Sequence, residues 1–334
     1  MDIRGVIAGF AEANGLVAGV CSAKPLPSDA RLAGIPFSTA TEEARRDPGL
    51  LLNGAKSVIV LGQGYAKEAE TPMDEAARGM FSAMAVGEDY HTSMARHLRA
   101  LRDVLLRECA FESVVHVDTG PLCERGFALR AGLGVRGLNG MVLSPRFGAF
   151  WNIGLLVTTL EMAGDAAVAD FVVPMCEGCG RCVEACPGGA LSAAGVDYTR
   201  CASYISQKKG ELADWEAEIL GRALYGCDVC AEVCPHSVGV PREVVAVDAM
   251  MPRVEDVLAL TNKTFQEKYG GTAIGWRGAA VLKRNAENAQ GHVPENARED
   301  GIVLGLKRGD VRLYDHDEKW EKTAADSITF LKSL

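Results

Sequence analysis

Apolar positions recur at helical and strand periods through the first half of the chain. Ile3, Val6, Ile7 and Phe10 share one face of a 3.6-residue helix, and Asp2 is placed to cap it. Residues 16–21 read as a short strand. Ser57-Val58-Ile59-Val60-Leu61 is a compact apolar run closed by Gly62 and Gly64, the pattern of a strand covered on both faces. Met94, Leu98, Leu101 and Leu105 form one stripe and predict a helix over 89–108. Further strands are predicted at 114–117, 140–143 and 153–159. Strands alternating with helices make residues 1–165 a layered α/β (α+β) domain. Residues 163–170 read as a small-residue linker, 166–245 as a cysteine-rich domain, 246–290 as a short helical region and 291–334 as a polar tail.

Composition narrows this picture. At 334 residues the chain has room for two or three domains, and 48% hydrophobic against 24% charged residues fits a globular protein with a sizeable core. The formal net charge of −9 argues against a broadly basic nucleic-acid binder. Neither a signal-peptide pattern nor an apolar run approaching roughly 18 residues is found, so a cytoplasmic protein without a membrane partner is expected. In such a compartment thiols stay reduced and clustered cysteines bind metal more often than each other. Eight of the 11 cysteines fall between Cys176 and Cys234.

Their spacing carries the chemistry. The first motif is Cys176-x2-Cys179-x2-Cys182-x3-Cys186-Pro187, and the second is Cys227-x2-Cys230-x3-Cys234-Pro235. Tight two-residue spacing lets one loop supply three corners of a four-iron cubane, while the fourth cysteine reaches a second cluster. A zinc ribbon is the alternative, but it leaves the third and fourth cysteines and both prolines without a role. The second motif has Leu224 where a copy of the first would place a cysteine, and Cys201 fills the gap. Crossed ligation then gives one cluster Cys176, Cys179, Cys182 and Cys234, and the other Cys186, Cys201, Cys227 and Cys230. A three-iron cluster with Cys201 a bystander is the other reading. Cys21, Cys109 and Cys123 read as small buried hydrophobes.

Several segments outside the cysteines carry a family resemblance. Arg45-Arg46-Asp47-Pro48 with residues 55–60, Ala85-Val86-Gly87-Glu88-Asp89-Tyr90-His91, Val117-Asp118-Thr119-Gly120-Pro121, Arg130-Ala131-Gly132-Leu133-Gly134, Cys201-x-Ser203-Tyr204 and Tyr225-Gly226-Cys227-Asp228 follow one another in consistent order. Together they resemble the epoxyqueuosine reductase family over about residues 40–290. The resemblance implies two [4Fe-4S] clusters and a cobalamin lying between the N-terminal domain and the clusters. It also implies reduction of epoxyqueuosine to queuosine in tRNA by a monomer fed by a ferredoxin- or flavodoxin-like donor.

Asp118 matches the family's proton donor, and the chemistry expects burial to raise its pKa so that it stays protonated. Read without the family, Asp118 is a turn residue capping a helix. The resemblance further implies corrinoid contacts at Asn139, Val142, Ser203 and Lys209. His91 and His116 are candidate cobalt ligands, although the family is expected to bind its corrinoid without a protein histidine. Gly132-x-Gly134-x-x-Gly137 is either a corrinoid-facing loop or a weak nucleotide signature. Past Gly134 the chain reads Val135-Arg136-Gly137-Leu138-Asn139 where members acting on tRNA read W-I-G-K-N. Two other functions therefore stand beside the first: a paralogue reducing a small molecule, and an electron-transfer protein serving a partner's corrinoid.

Overall fold

The computed structural model describes residues 2–292 except 33, 75 and 166–173; the tail at 293–334 and most of the linker lie outside the described residues. Two compact units result. The first takes the described residues of Met1–Gly64 and Tyr90–Gly178, and the second those of Tyr65–Asp89 and Cys179–Ile328.

The first unit is built from α1 (Ile3–Ala13), β1 (Val17–Ser22), β2 (Ser57–Gly64), α2 (Tyr90–Leu106), β3 (Ser113–His116), α3 (Glu124–Arg130) and β4 (Trp151–Thr158). Asp2 caps α1 as expected, its carboxylate accepting the Gly5 N–H at 2.8 Å. The four strands lie in the order β1-β2-β4-β3, and every neighbouring pair is antiparallel. Val58 to Leu61 are fully buried because both faces of the sheet are covered. Val58 and Val60 point into a layer with Leu122, Phe127, Leu129 and Trp151, around α3. Ile59 and Leu61 point the other way, against Ile7 of α1 and Met94, Leu98, Leu101 and Leu105 of α2. This is the two-residue period of a strand meeting the helical stripe. Each such side chain contributes about 1.5–3 kcal/mol by leaving water. Helix α2 packs so near β4 that a Cβ on Gly154 would stand 2.4 Å from Met94 Cγ.

The second unit departs from the expected boundaries in two ways. Residues 65–89 leave the first unit: Met80–Phe81 pairs in parallel with β5 (Ala223–Tyr225), and Lys67–Ala69 with Glu243–Val245. Residues 246–290 have no separate core, since Val254, Val257, Phe265, Tyr269 and Leu282 pack with Phe81, Leu224 and Tyr225. Buried Arg78 reinforces the join, donating to Asp74, Asp248 at 2.5 Å and the Met251 carbonyl at 2.6 Å. Among the described residues no helix is long and apolar enough to cross a membrane.

Candidate active site and cluster ligands

Asp118 follows β3 on an exposed turn and has φ 46°, a left-handed conformation that a non-glycine residue adopts at a cost of about 1–3 kcal/mol. The turn is held from below. The His116 Nε2 accepts the Leu122 N–H at 2.9 Å, and a Cβ on Gly120 would lie 2.3 Å from the His116 ring. His116 is therefore a buried brace, with its Nδ1 3.1 Å from Glu124.

At the start of α2, the Tyr90 hydroxyl donates to Asp118 Oδ2 at 2.9 Å, and His91 Nε2 stands 3.3 Å from the same oxygen. The two rings stack with centroids 4.1 Å apart. The expectation of a burial-raised Asp118 is overturned. Desolvation does push the carboxyl up, but the His91 and Tyr90 hydrogen bonds, with the charges of His91 and Arg125, hold it below the ordinary carboxylate value. Its side chain is 61% exposed. Tyr90 and Arg125 were not singled out from sequence as partners of Asp118. The Asp89-Tyr90-His91 run was the available signal for the former.

Arg125 joins two of the expected positions. Its charge acts on Asp118, and its guanidinium donates to the Gly140 carbonyl at 3.0 Å. Gly140 lies in the loop between the short paired strands Val135–Arg136 and Val142–Leu143. Asn139 in that loop is buried, its Oδ1 accepting the Met141 N–H at 3.1 Å. Val142 belongs to the core: its side chain packs in the α3 layer and its carbonyl accepts the Trp151 indole N–H at 2.7 Å. Little of Val142 is left for a ligand.

In the second unit, Cys201 caps α4 (Ala202–Gln207) and Cys227 follows β5. Burial pushes the Cys227 thiol up, and charges on Cys201, Asp228 and Cys186 push it further. The same holds for Cys230, with Cys227, Cys201 and Cys182 as neighbours. Cys201 thus acts on both Cys227 and Cys230, with Cys186 acting on the former and Cys182 on the latter. Among the described residues no group of three or more His, Cys, Asp or Glu is set around a single ion; a cubane instead places its four thiolates on four separate irons. Cys182 and Cys230 face each other electrostatically, and Cys234 is buried. Cys179 closes the helix Pro174–Cys179, which also carries Cys176.

Gly226, with φ 75°, admits the turn into Cys227; a Cβ there would meet Ser82 Cβ at 2.4 Å. Asp228 accepts from the Ser82 hydroxyl and the Ala83 N–H, both at 2.6 Å, and burial raises it to about 6. Ser203 lies on α4, its carbonyl taken by Ser206 and Gln207, and Lys209 is exposed just past that helix. Cys21 is buried in the core with its thiol pushed up to about 12, and burial likewise raises Cys123, as expected of packing residues.

A mixed α/β body with a two-cluster cysteine domain defines an iron–sulfur oxidoreductase, and comparison with known proteins specifies which kind. Residues 175–237 match the 4Fe-4S double cluster binding domain, and residues 45–119 match the family described as Epoxyqueuosine reductase QueG, DUF1730. The chain is 33% identical over 286 residues to the epoxyqueuosine reductase of Bacillus cereus, covering 83% of this chain and 74% of that protein. It is 35% identical over 270 residues to that of Lactococcus garvieae, covering 78% and 76%. The solved epoxyqueuosine reductase of Streptococcus thermophilus superposes with a TM-score of 0.82 at 29% identity, covering 100% of this chain and 91% of that one. Another, crystallised with an epoxyqueuosine-modified tRNA-Tyr stem loop, gives 0.80 at 26% identity, with 99% of each chain covered. The chain belongs to the epoxyqueuosine reductase family.

Proposed function

We propose that the protein reduces epoxyqueuosine to queuosine in tRNA, using a cobalamin and electrons delivered through its two clusters. The net change adds two electrons and two protons to the epoxide and yields the alkene and water. When bound, the corrinoid supplies a low-potential metal centre for the reduction. In the first unit, Asn139 is the residue we assign to hold it. Both histidines flanking Asp118 are already engaged, His91 with Asp118 and His116 with the Leu122 N–H, which fits a corrinoid bound without a protein imidazole.

The observation that carries the chemistry is the Asp118–His91–Tyr90 cluster on a strained, exposed turn. An oxygen leaves a carbon poorly unless protonated, so a proton source must stand at the substrate. Asp118 and His91, 3.3 Å apart, are placed to share that proton, and the Tyr90 hydroxyl fixes the carboxylate oxygen that both contact. The solved relative bound to a modified tRNA stem loop supports an RNA substrate. Cys186, Cys201, Cys227 and Cys230 would hold one cluster, and Cys176, Cys179, Cys182 and Cys234 the other. Expression in a bacterial strain lacking its own reductase tests the reading: queuosine should reappear in tRNA and should be lost with Asp118→Asn. A cobalamin- and cluster-loaded protein that leaves epoxyqueuosine unchanged would favour a small-molecule substrate.

A further inference from the structure

The last helix among the described residues, α5 (Ala279–Gln290), buries an apolar face of Val281, Leu282, Ala286 and Ala289, and in the middle of it sits Asn285, with no exposed surface at all. An asparagine in a helix interior costs about 0.7 kcal/mol against alanine, and a buried amide left without partners costs more. Here every polar atom is used. The Nδ2 donates to the Ser206 carbonyl and to the Leu224 carbonyl, each at 2.7 Å. The Oδ1 accepts from Arg284 Nε at 3.0 Å and from a second Arg284 nitrogen at 2.7 Å. Arg284 in turn donates to the carbonyls of Ile205, Lys208 and Gly210, which close the C-terminal end of α4.

The two carbonyls that Asn285 ties together belong to the two segments bearing Cys201 and Cys227. Ser206 is one turn along α4 from Cys201, whose carbonyl accepts the Ile205 N–H at 2.9 Å. Leu224 lies in β5, three residues before Cys227. A second tie runs parallel to the first: the Ser206 hydroxyl accepts the Gly226 N–H at 2.9 Å and donates to the Ser203 carbonyl at 2.8 Å. Asn285 and Ser206 thus bridge helix and strand on either side of two thiols separated by 26 positions in sequence.

We propose that Asn285 is a positioning residue for the second cluster: acting through Ser206 and Leu224, it fixes the separation of Cys201 and Cys227. The proposal rests on the ligand set Cys186, Cys201, Cys227 and Cys230. Cluster potentials depend on hydrogen bonding and solvent access at the sulfurs, so a slackened pair shows in a potential rather than only in stability.

The test uses the full chain with both clusters loaded anaerobically and follows each by EPR during a redox titration. Asn285→Ala should move the reduction equilibrium of one cluster at least threefold, about 28 mV at 59 mV per decade, and change its signal, while the other cluster stays put. Ser206→Ala, which removes only a hydroxyl, should move the same cluster in the same sense and serves if the first variant does not fold. Unchanged potentials in the folded variants, or equal drift of both clusters, would overturn the proposal. Cys201→Ala distinguishes a failed positioning role from a wrong ligand set: it should remove the signal that Asn285→Ala perturbs. Eight irons and both signals retained in that variant would overturn the ligand set itself.

Discussion

Replacing His91 by glutamine probes where the catalytic proton resides. Desolvation pushes the Asp118 carboxyl up, while the His91 and Tyr90 hydrogen bonds hold it below its ordinary value. His91, 3.3 Å from Oδ2, is placed to share the proton with the carboxyl. The carboxylate is 61% exposed, so loss of the Tyr90 hydrogen bond is discounted to about 0.5–1 kcal/mol. The assay is single-turnover reduction of epoxyqueuosine stem-loop RNA across pH, with nucleosides quantified by mass spectrometry. His91→Gln should change the wild-type pH profile and lose about 10²–10⁴ in rate, the usual contribution of a positioned acid. Tyr90→Phe should keep the profile with a smaller loss. An unchanged profile in His91→Gln, with rate lost only in Asp118→Asn, would refute the reasoning and return the proton to the carboxyl.

Other expectations concern the clusters and the second unit. Cys201→Ala should lower bound iron from about eight per chain, because one cubane then has three thiolates, and iron analysis with EPR reads this directly. Gly226→Ala forces a Cβ to 2.4 Å from Ser82 Cβ at a φ of 75°, so it should destabilise the loop entering Cys227 by about 1–3 kcal/mol and reduce occupancy of that cluster first. Buried Glu216 forms a salt bridge with Lys208. Burial pushes its carboxyl up, but the Lys208 and Ala213 hydrogen bonds outweigh this and leave it below the usual range. Its contribution is present above pH 4.5 and lost as pH falls through the lowered folded value. Glu216→Gln should therefore cost about 1–3 kcal/mol in denaturant melts at pH 7 and progressively less toward about pH 3.

Much of the first unit was legible because its strands are long and its stripes regular. The run at 58–61 and the repeat through Met94 to Leu105 announced a sheet covered on both faces. The antiparallel order was not announced, since apolar periodicity carries no strand direction. Residues 65–89 were misplaced for a different reason: their strands are two and three residues long and pair with partners more than 140 positions away. Segments so short have no period to read. At the site, cysteine spacing alone led to the proposed ligand sets, whereas Asp118 needed the family motif. The sign of its pKa shift needed Tyr90 and His91, which a separate helix brings to the turn. Asn285 lay hidden in an ordinary helical pattern, because only the fold shows which carbonyls it reaches.

The nucleosides of tRNA from a strain lacking its own reductase provide the most direct test of the proposed activity. With this chain expressed and cobalamin supplied, digestion and mass spectrometry should find queuosine in place of epoxyqueuosine, and Asp118→Asn should restore the epoxide. Epoxyqueuosine persisting beside purified protein that holds both clusters and a corrinoid would contradict it.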